Sequence, residues 1–313
     1  MAIFFGHRTA EYILNSALAS EFLVSGETPA SCGFVDDAVL ESIDFSEFEI
    51  PEGEPLDLMV GSREKRRRRK GISCHASTLD LPHGAYLEIS PDVYVASPQL
   101  CLLQRAQYLS FAGRVKLAAR FCGTYAPSKR DPRGFITRPA LASTDGLASF
   151  VELCPNIRGK QQVLDALAWT LPNAASPMET EMVMPFYLPW GRGGFGLPKP
   201  TMNYEVTLSA RGRSMTGART ARIDAFWEDT GFGLEYQSEM FHKGDERYGA
   251  DIGRQLAIEL TGRKLQMVTL AQLANSAQLE RLAELIAHYC GVTLDLKRPN
   301  AQRAGLVSDI LSD

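Results

Sequence analysis

In the first half of the chain, apolar positions recur at helical spacing over residues 8–22 (Tyr12, Ile13, Ala17, Leu18, Phe22), a run that stops before Gly26. Residues 34–42 suggest a second helix. Residues 56–60 and 71–74 read as short strands joined in a hairpin, with a further strand over 85–89 and an extended piece at 93–96. Ser97-Pro98 opens a helix over 98–109, because serine caps the first turn and proline at the first helical position loses no needed N–H. Another helix runs over 115–122 and stops at Gly123.

The second half has a different rhythm. Residues 127–146, rich in Pro, Gly and charge, read as a long loop or linker, followed by helices over 147–153 and 161–171. Ser176-Pro177-Met178-Glu179 is a helix start with a capping box. Strands are expected over 204–208, 221–227 and 233–238, the last two joined by the turn Glu228-Asp229-Thr230-Gly231. A helix over 245–260 ends before Gly262, a strand follows at 264–269 and a helix at 277–289. The fold class is therefore α/β of the α+β kind. An N-terminal α+β binding or regulatory module covers 1–125, a linker and connecting helix 126–160, and a domain of order αβββαβ 161–313.

With 313 residues, 45% of them apolar, the chain is long enough for about two domains with their own cores, and disordered or collagen-like classes are excluded. No apolar run reaches the ~18 residues of a membrane span, and the N-terminus, broken by His7, Arg8, Glu11 and Asn15, does not read as a signal peptide. Cys32, Cys74, Cys101, Cys122, Cys154 and Cys290 form no C-x-x-C pair, which argues against a disulfide framework or structural zinc. A cytoplasmic protein without membrane attachment is expected. The net charge of −4 hides a sharp asymmetry: residues 1–62 carry −11 and residues 63–70 (REKRRRRK) carry +6. Arg66, Arg67, Arg68 and Arg69 read either as a solvated loop paired with the acidic segment 36–57 or as contacts to nucleic-acid phosphates.

Two features invite a chemistry and are set aside. Gly191-Arg192-Gly193-Gly194-Phe195-Gly196 satisfies G-x-G-x-x-G, but Pro189 precedes it and Pro198 and Pro200 follow, so no helix can open there to hold a pyrophosphate. It reads as a flexible loop, and no nucleotide cofactor is expected. His7, His75 and His83 lie far apart in the chain and read as histidines satisfied by their surroundings.

Acids inside strands are costly unless paired or bound to a cation. Asp224 and Glu235 fall on the two arms of one tight hairpin, where their carboxylates can share a face and hold Mg²⁺ or Mn²⁺. Gln237 shares the face of Glu235 and can orient a water. Each acid has a plainer reading: Glu179 as a cap, Asp224 as a partner of Arg222 or Arg219, Arg254 as a partner of Asp251 or another carboxylate. Phe226, Trp227 and Tyr236 read as sheet-face or core residues.

The pattern Glu179, Arg222-x-Asp224, Glu235-x-Gln237, His242 and a helix with Asp251 and Arg254 over residues 165–290 resembles the PD-(D/E)xK nuclease superfamily, in particular very-short-patch-repair-type endonuclease domains. The resemblance implies a restriction-endonuclease-like core in which Asp224 and Glu235 bind the metal, Glu179 assists, and Gln237 stands where the family has lysine. His242 would join the catalytic set, and Arg222 and Lys243 would contact DNA. The N-terminal half more loosely resembles regulatory modules of abortive-infection-type antitoxins, implying a toxin or defence-system partner. The expected function is a metal-dependent DNA endonuclease in phage defence or repair. The alternatives are a nuclease-like DNA-binding antitoxin or transcriptional regulator, and a module whose acidic N-terminal segment binds a basic protein.

Overall fold

Strand β1 (Ile3–Phe5) lies inside a six-stranded mixed sheet, and helix α1 (His7–Leu14) leaves it through Gly6. The computed structural model describes residues 2–24, 37–237, 245–296 and 300–312, and the chain divides into two compact units, Met1–Pro172 and Asn173–Asp313.

The first unit continues with β2 (Leu23–Val24), α2 (Asp37–Ser42), β3 (Leu56–Val60), β4 (Ile72–Ala76), β5 (Tyr86–Ser90) and β6 (Val93–Ala96). The strand order is β2-β5-β6-β1-β3-β4. β3 and β4 pair in parallel, Leu56 opposite Ile72 and Val60 opposite Ala76, so the expected hairpin is corrected. A hairpin needs only a few turn residues, whereas residues 61–71 are long enough to carry the chain back along the sheet. The basic run is thus a crossover connection. Arg66 to Arg69 are exposed within it, and Arg69 reaches Glu41 at 3.6 Å, inside the acidic segment.

Helices α3 (Pro98–Arg105) and α4 (Phe111–Cys122) follow; Ser97 caps the first by accepting from the Leu100 N–H. The segment expected to be a linker is instead built into this unit. It forms a two-stranded sheet, β7 (Tyr125–Pro127) with β8 (Phe135–Thr137), and then α5 (Thr144–Leu153). Leu147, Phe150 and Val151 of α5, and Val163 and Leu167 of α6 (Lys160–Leu167), share one core with Phe4, Phe5, Leu58 and Phe121. Apolar spacing at i, i+3 and i+4 in a Pro/Gly-rich stretch explains why a composition reading misplaced the boundary.

The second unit opens with α7 (Pro177–Tyr187), capped by Ser176, then β9 (Thr201–Thr207), α8 (Ala210–Thr216), β10 (Thr220–Trp227), β11 (Phe232–Tyr236), α9 (Asp245–Glu259) and β12 (Lys264–Val268). The sheet order is β12-β11-β10-β9, antiparallel except for the parallel pair β11/β12. The expected order of elements is present, with α8 inserted between the first two strands. Three more helices close the unit: α10 (Leu270–Ala274), α11 (Ser276–Cys290) and α12 (Arg303–Leu311).

The glycine-rich stretch before β9 is a packed turn and not a flexible loop. A Cβ at Gly194 would lie 1.9 Å from the Leu188 carbonyl oxygen, and Gly193 has φ +98°. Arg303 of α12 lays its guanidinium 3.8 Å from the Phe195 ring centroid. These glycines serve close backbone packing and not phosphate binding. No helix among the described residues is long and apolar enough to cross a membrane.

Candidate functional site

Four elements of the second unit bring polar groups together. Tyr204 of β9 faces Ile223 of β10 and Met202 faces Ala225, which sets Asn203 across from Asp224 on one face of the sheet. Ala225 of β10 faces Leu234 of β11, so the same register sets Glu235 across from Asp224 on the other side. Helix α7 then delivers Glu179. Its Oε2 accepts from the Asn203 side-chain Nδ2 at 2.5 Å and from the Ala175 N–H at 2.7 Å. Ser176 is the cap of α7, and Glu179, whose carboxylate accepts from the Ala175 N–H and not from that of Ser176, closes no capping box.

The electrostatics separate the three acids. Burial, and then the charge of Asp224, push the Glu179 carboxyl up to about 7, against the hydrogen bonds from Ala175 and Asn203. Burial also raises Asp224, opposed by the Tyr236 N–H, which donates to its Oδ2 at 2.8 Å, and by the nearby Arg254 guanidinium. Glu235 is resolved differently. Its side chain is 3% exposed and both its oxygens accept from Arg254 of α9, at 3.0 and 2.5 Å, while the same guanidinium also donates to the Arg222 carbonyl. The expected metal pair, Asp224 with Glu235, is thus divided: Asp224 has Glu179 as its acidic neighbour, and Glu235 has a cation of its own.

The remaining expected residues scatter. Gln237 follows β11 directly and its N–H donates to the Val268 carbonyl. Arg222 is exposed on β10, paired in register with Glu205. His242 and Lys243 lie outside the described residues. Phe226 is buried against Tyr204, their ring centroids 4.6 Å apart, in keeping with a core role.

The first unit assembles a cluster that sequence reasoning missed. His75 of β4 sets its Nε2 2.7 Å from Asp57 Oδ1 and 3.2 Å from Ser73 Oγ. His7, at φ +49°, stacks on His75 with centroids 3.8 Å apart, and its Nδ1 is buried with no hydrogen-bond partner among the described residues. Burial first, and the neighbouring His75 second, lower His7 to about 4. Burial alone would raise Asp57, yet the hydrogen bond and charge of His75 and the Arg8 N–H hold it below the usual carboxylate range. The only advance signal was alternation, which puts Ser73 and His75 on one strand face; nothing in the sequence ties His7 to them.

Among the described residues, no group of three or more His, Cys, Asp and Glu side chains is arranged to hold a metal ion. Glu179 and Asp224 nevertheless bring two carboxylates together, with the Asn203 amide N–H donating to Glu179. That pair fits a hard cation such as Mg²⁺, which takes one or two carboxylates and keeps several waters. No protein family, curated protein or solved structure matches the chain.

Proposed function

We propose that the second unit is a divalent-cation site acting on the phosphodiester backbone of DNA, in a cytoplasmic nuclease-like protein of phage defence or DNA repair. The observation that carries this reading is the meeting of Glu179 and Asp224 over Asn203: both acids are raised by burial, Glu179 further by the charge of Asp224, and a cation relieves both. Glu179 and Asp224 would hold Mg²⁺ or Mn²⁺, which polarises a phosphoryl oxygen and lowers the pKa of a bound water when present. Asn203 fixes the Glu179 carboxylate, and the Tyr236 N–H fixes that of Asp224. Gln237, beside Glu235, orients a water but carries no charge. Arg222, Lys243 and the basic crossover Arg66 to Arg69 supply phosphate contacts, which position a duplex without reading its sequence. The resemblance to PD-(D/E)xK nucleases implies Asp224 and Glu235 as the metal pair with Glu179 assisting, and so supports a cation at Asp224.

A second reading has its own support. Glu235 is neutralised by Arg254 and Gln237 replaces the family's lysine, which favours DNA binding without turnover, as in an antitoxin or transcriptional regulator with a toxin or defence-system partner. Nicking of supercoiled plasmid in Mg²⁺ or Mn²⁺ separates the two. The first reading expects nicking that Asp224→Ala abolishes; salt-sensitive binding with no nicking leaves the second.

A further inference from the structure

In the first unit the turn between β7 and β8, residues 128–134, closes around a carboxylate. The Ser128 hydroxyl donates to Oε1 of Glu49 at 2.5 Å, and the Lys129 N–H donates to Oε2 at 2.7 Å. Ser128 is buried, and its oxygen also accepts from the Arg130 N–H, which aims the hydroxyl at the carboxylate. Arg130 sets its guanidinium on the carbonyl of Ser46, three residues before Glu49. Lys129 and Arg130 are both exposed, and neither side chain pairs with an acid among the described residues. A hydroxyl, a backbone N–H and flanking bases are the donors that proteins offer to nucleic-acid phosphates. A carboxylate and a phosphodiester each present two oxygens to such donors, so one can stand where the other binds.

Glu49 comes from the strongly acidic segment, residues 36–57, which holds nine Asp and Glu and no Lys or Arg. Its backbone is left-handed, φ +48°, and it follows Phe48, which is anchored in the core. A residue with a Cβ rarely adopts that conformation, and here it delivers the carboxylate to the turn. We propose that the β7–β8 turn is a binding site for the phosphodiester backbone of DNA, closed in cis by Glu49. This rests on the reading of the protein as one that binds DNA. The tether gives Glu49 an effective concentration on the order of millimolar, so a lone anion rarely displaces it. A polyanion gains Lys129 and Arg130 as well, with release of its own counterions. In the wild type the turn is mostly closed and adds little to duplex affinity.

The test is fluorescence anisotropy of a short labelled duplex titrated with the full chain at fixed salt. Glu49→Gly removes the carboxylate and suits the left-handed backbone. Its duplex affinity should rise about tenfold, the gain expected when a site open about one part in ten is opened throughout. Adding Ser128→Ala to Glu49→Gly should remove most of that gain. Glu49→Gln, which keeps the side-chain volume, is a second route to an open turn and should gain in the same direction. Glu52→Gln changes the net charge equally at an exposed acid of the same segment, and should alter affinity by less than about twofold. Equal gains in Glu49→Gly and Glu52→Gln reduce the effect to net charge and overturn the site. Inorganic phosphate, titrated by calorimetry, separates the two sources of the anion: binding to Glu49→Gly without a gain for duplex overturns the DNA assignment of the turn. Duplex binding that is the same in wild type and both Glu49 variants overturns the closure alone. No duplex binding by any of the three overturns the DNA reading, and the closure with it.

Discussion

Asp57 of the first unit and Asp224 of the second are both partly buried aspartates on strands of a mixed sheet, and each accepts a backbone N–H, from Arg8 and Tyr236 respectively. Their titration nevertheless moves in opposite directions, down for Asp57 and up for Asp224. Burial raises both; for Asp57 the His75 hydrogen bond and charge outweigh it, and for Asp224 the Tyr236 N–H and Arg254 do not. Asp57 faces His75 and closes the first turn of α1, so its charge is answered within the fold, and His7 carries the cost as an imidazole kept neutral. Asp224 faces Glu179, so two charges of one sign are gathered on one face. A satisfied acid of the first kind is architecture. Acids arranged as in the second unit leave a deficit of positive charge, and that deficit is the argument for a cation.

The largest way to break this comparison is to remove the counter-charge that the second unit does possess. Arg254→Ala removes the bidentate guanidinium from the buried Glu235 carboxylate, and should cost about 3 kcal/mol in chemical denaturation. His75→Ala leaves Asp57 with the Arg8 N–H, and should cost only about 1 kcal/mol. Equal losses would mean that the two acids are held alike.

The pH dependence sharpens the contrast, because the two units should fail at opposite ends. Glu179 has a folded pKa raised from 4.5 to about 7, so its contribution is present below pH 4.5 and is lost as pH rises through 7. Glu179→Gln does not titrate. Between pH 4.5 and 8 its stability relative to wild type should improve by about 3 kcal/mol, and Mn²⁺ should help the wild type at pH 8 but not the variant. His7 has a folded pKa lowered from 6.5 to about 4, so the fold binds fewer protons than the open chain and loses stability as pH falls from 6.5 to 4. His7→Asn, which tolerates the left-handed backbone at this position, should flatten that acid loss by about 2 kcal/mol. Parallel pH profiles for the two variants would dissolve the distinction.

How far the sequence reveals these sites follows from the range of the interactions. The hairpin of β10 and β11 was legible because its turn is local, and so was the α7 start, where Ser176 accepts from Glu179 three residues on. The pairing of β3 with β4 was not, since a connection of eleven residues suits a long loop or a crossover equally well. Asn203 carried no signal; it matters because register puts it beside Asp224 and under Glu179. The partner of Glu235 sits nineteen positions away on a helix, a separation that periodicity within one element cannot bridge. His7 and His75 meet only because β1 and β4 flank β3 in the sheet order.

The smallest expected change in stability tests which unit meets DNA. Replacing Arg66, Arg67, Arg68 and Arg69 together by Glu alters an exposed crossover outside the core, so the denaturation midpoint should move by less than about 0.5 kcal/mol. Duplex affinity should fall, and the slope of log affinity against log salt should shrink by about one for each phosphate the protein no longer neutralises. Glu179→Gln should leave that slope unchanged, because it alters a cation site and not a group that touches phosphate. A charge reversal that leaves both affinity and slope intact would assign DNA binding to the second unit alone. The basic crossover would then be a counterweight to the acidic segment, as its contact with Glu41 already suggests for Arg69.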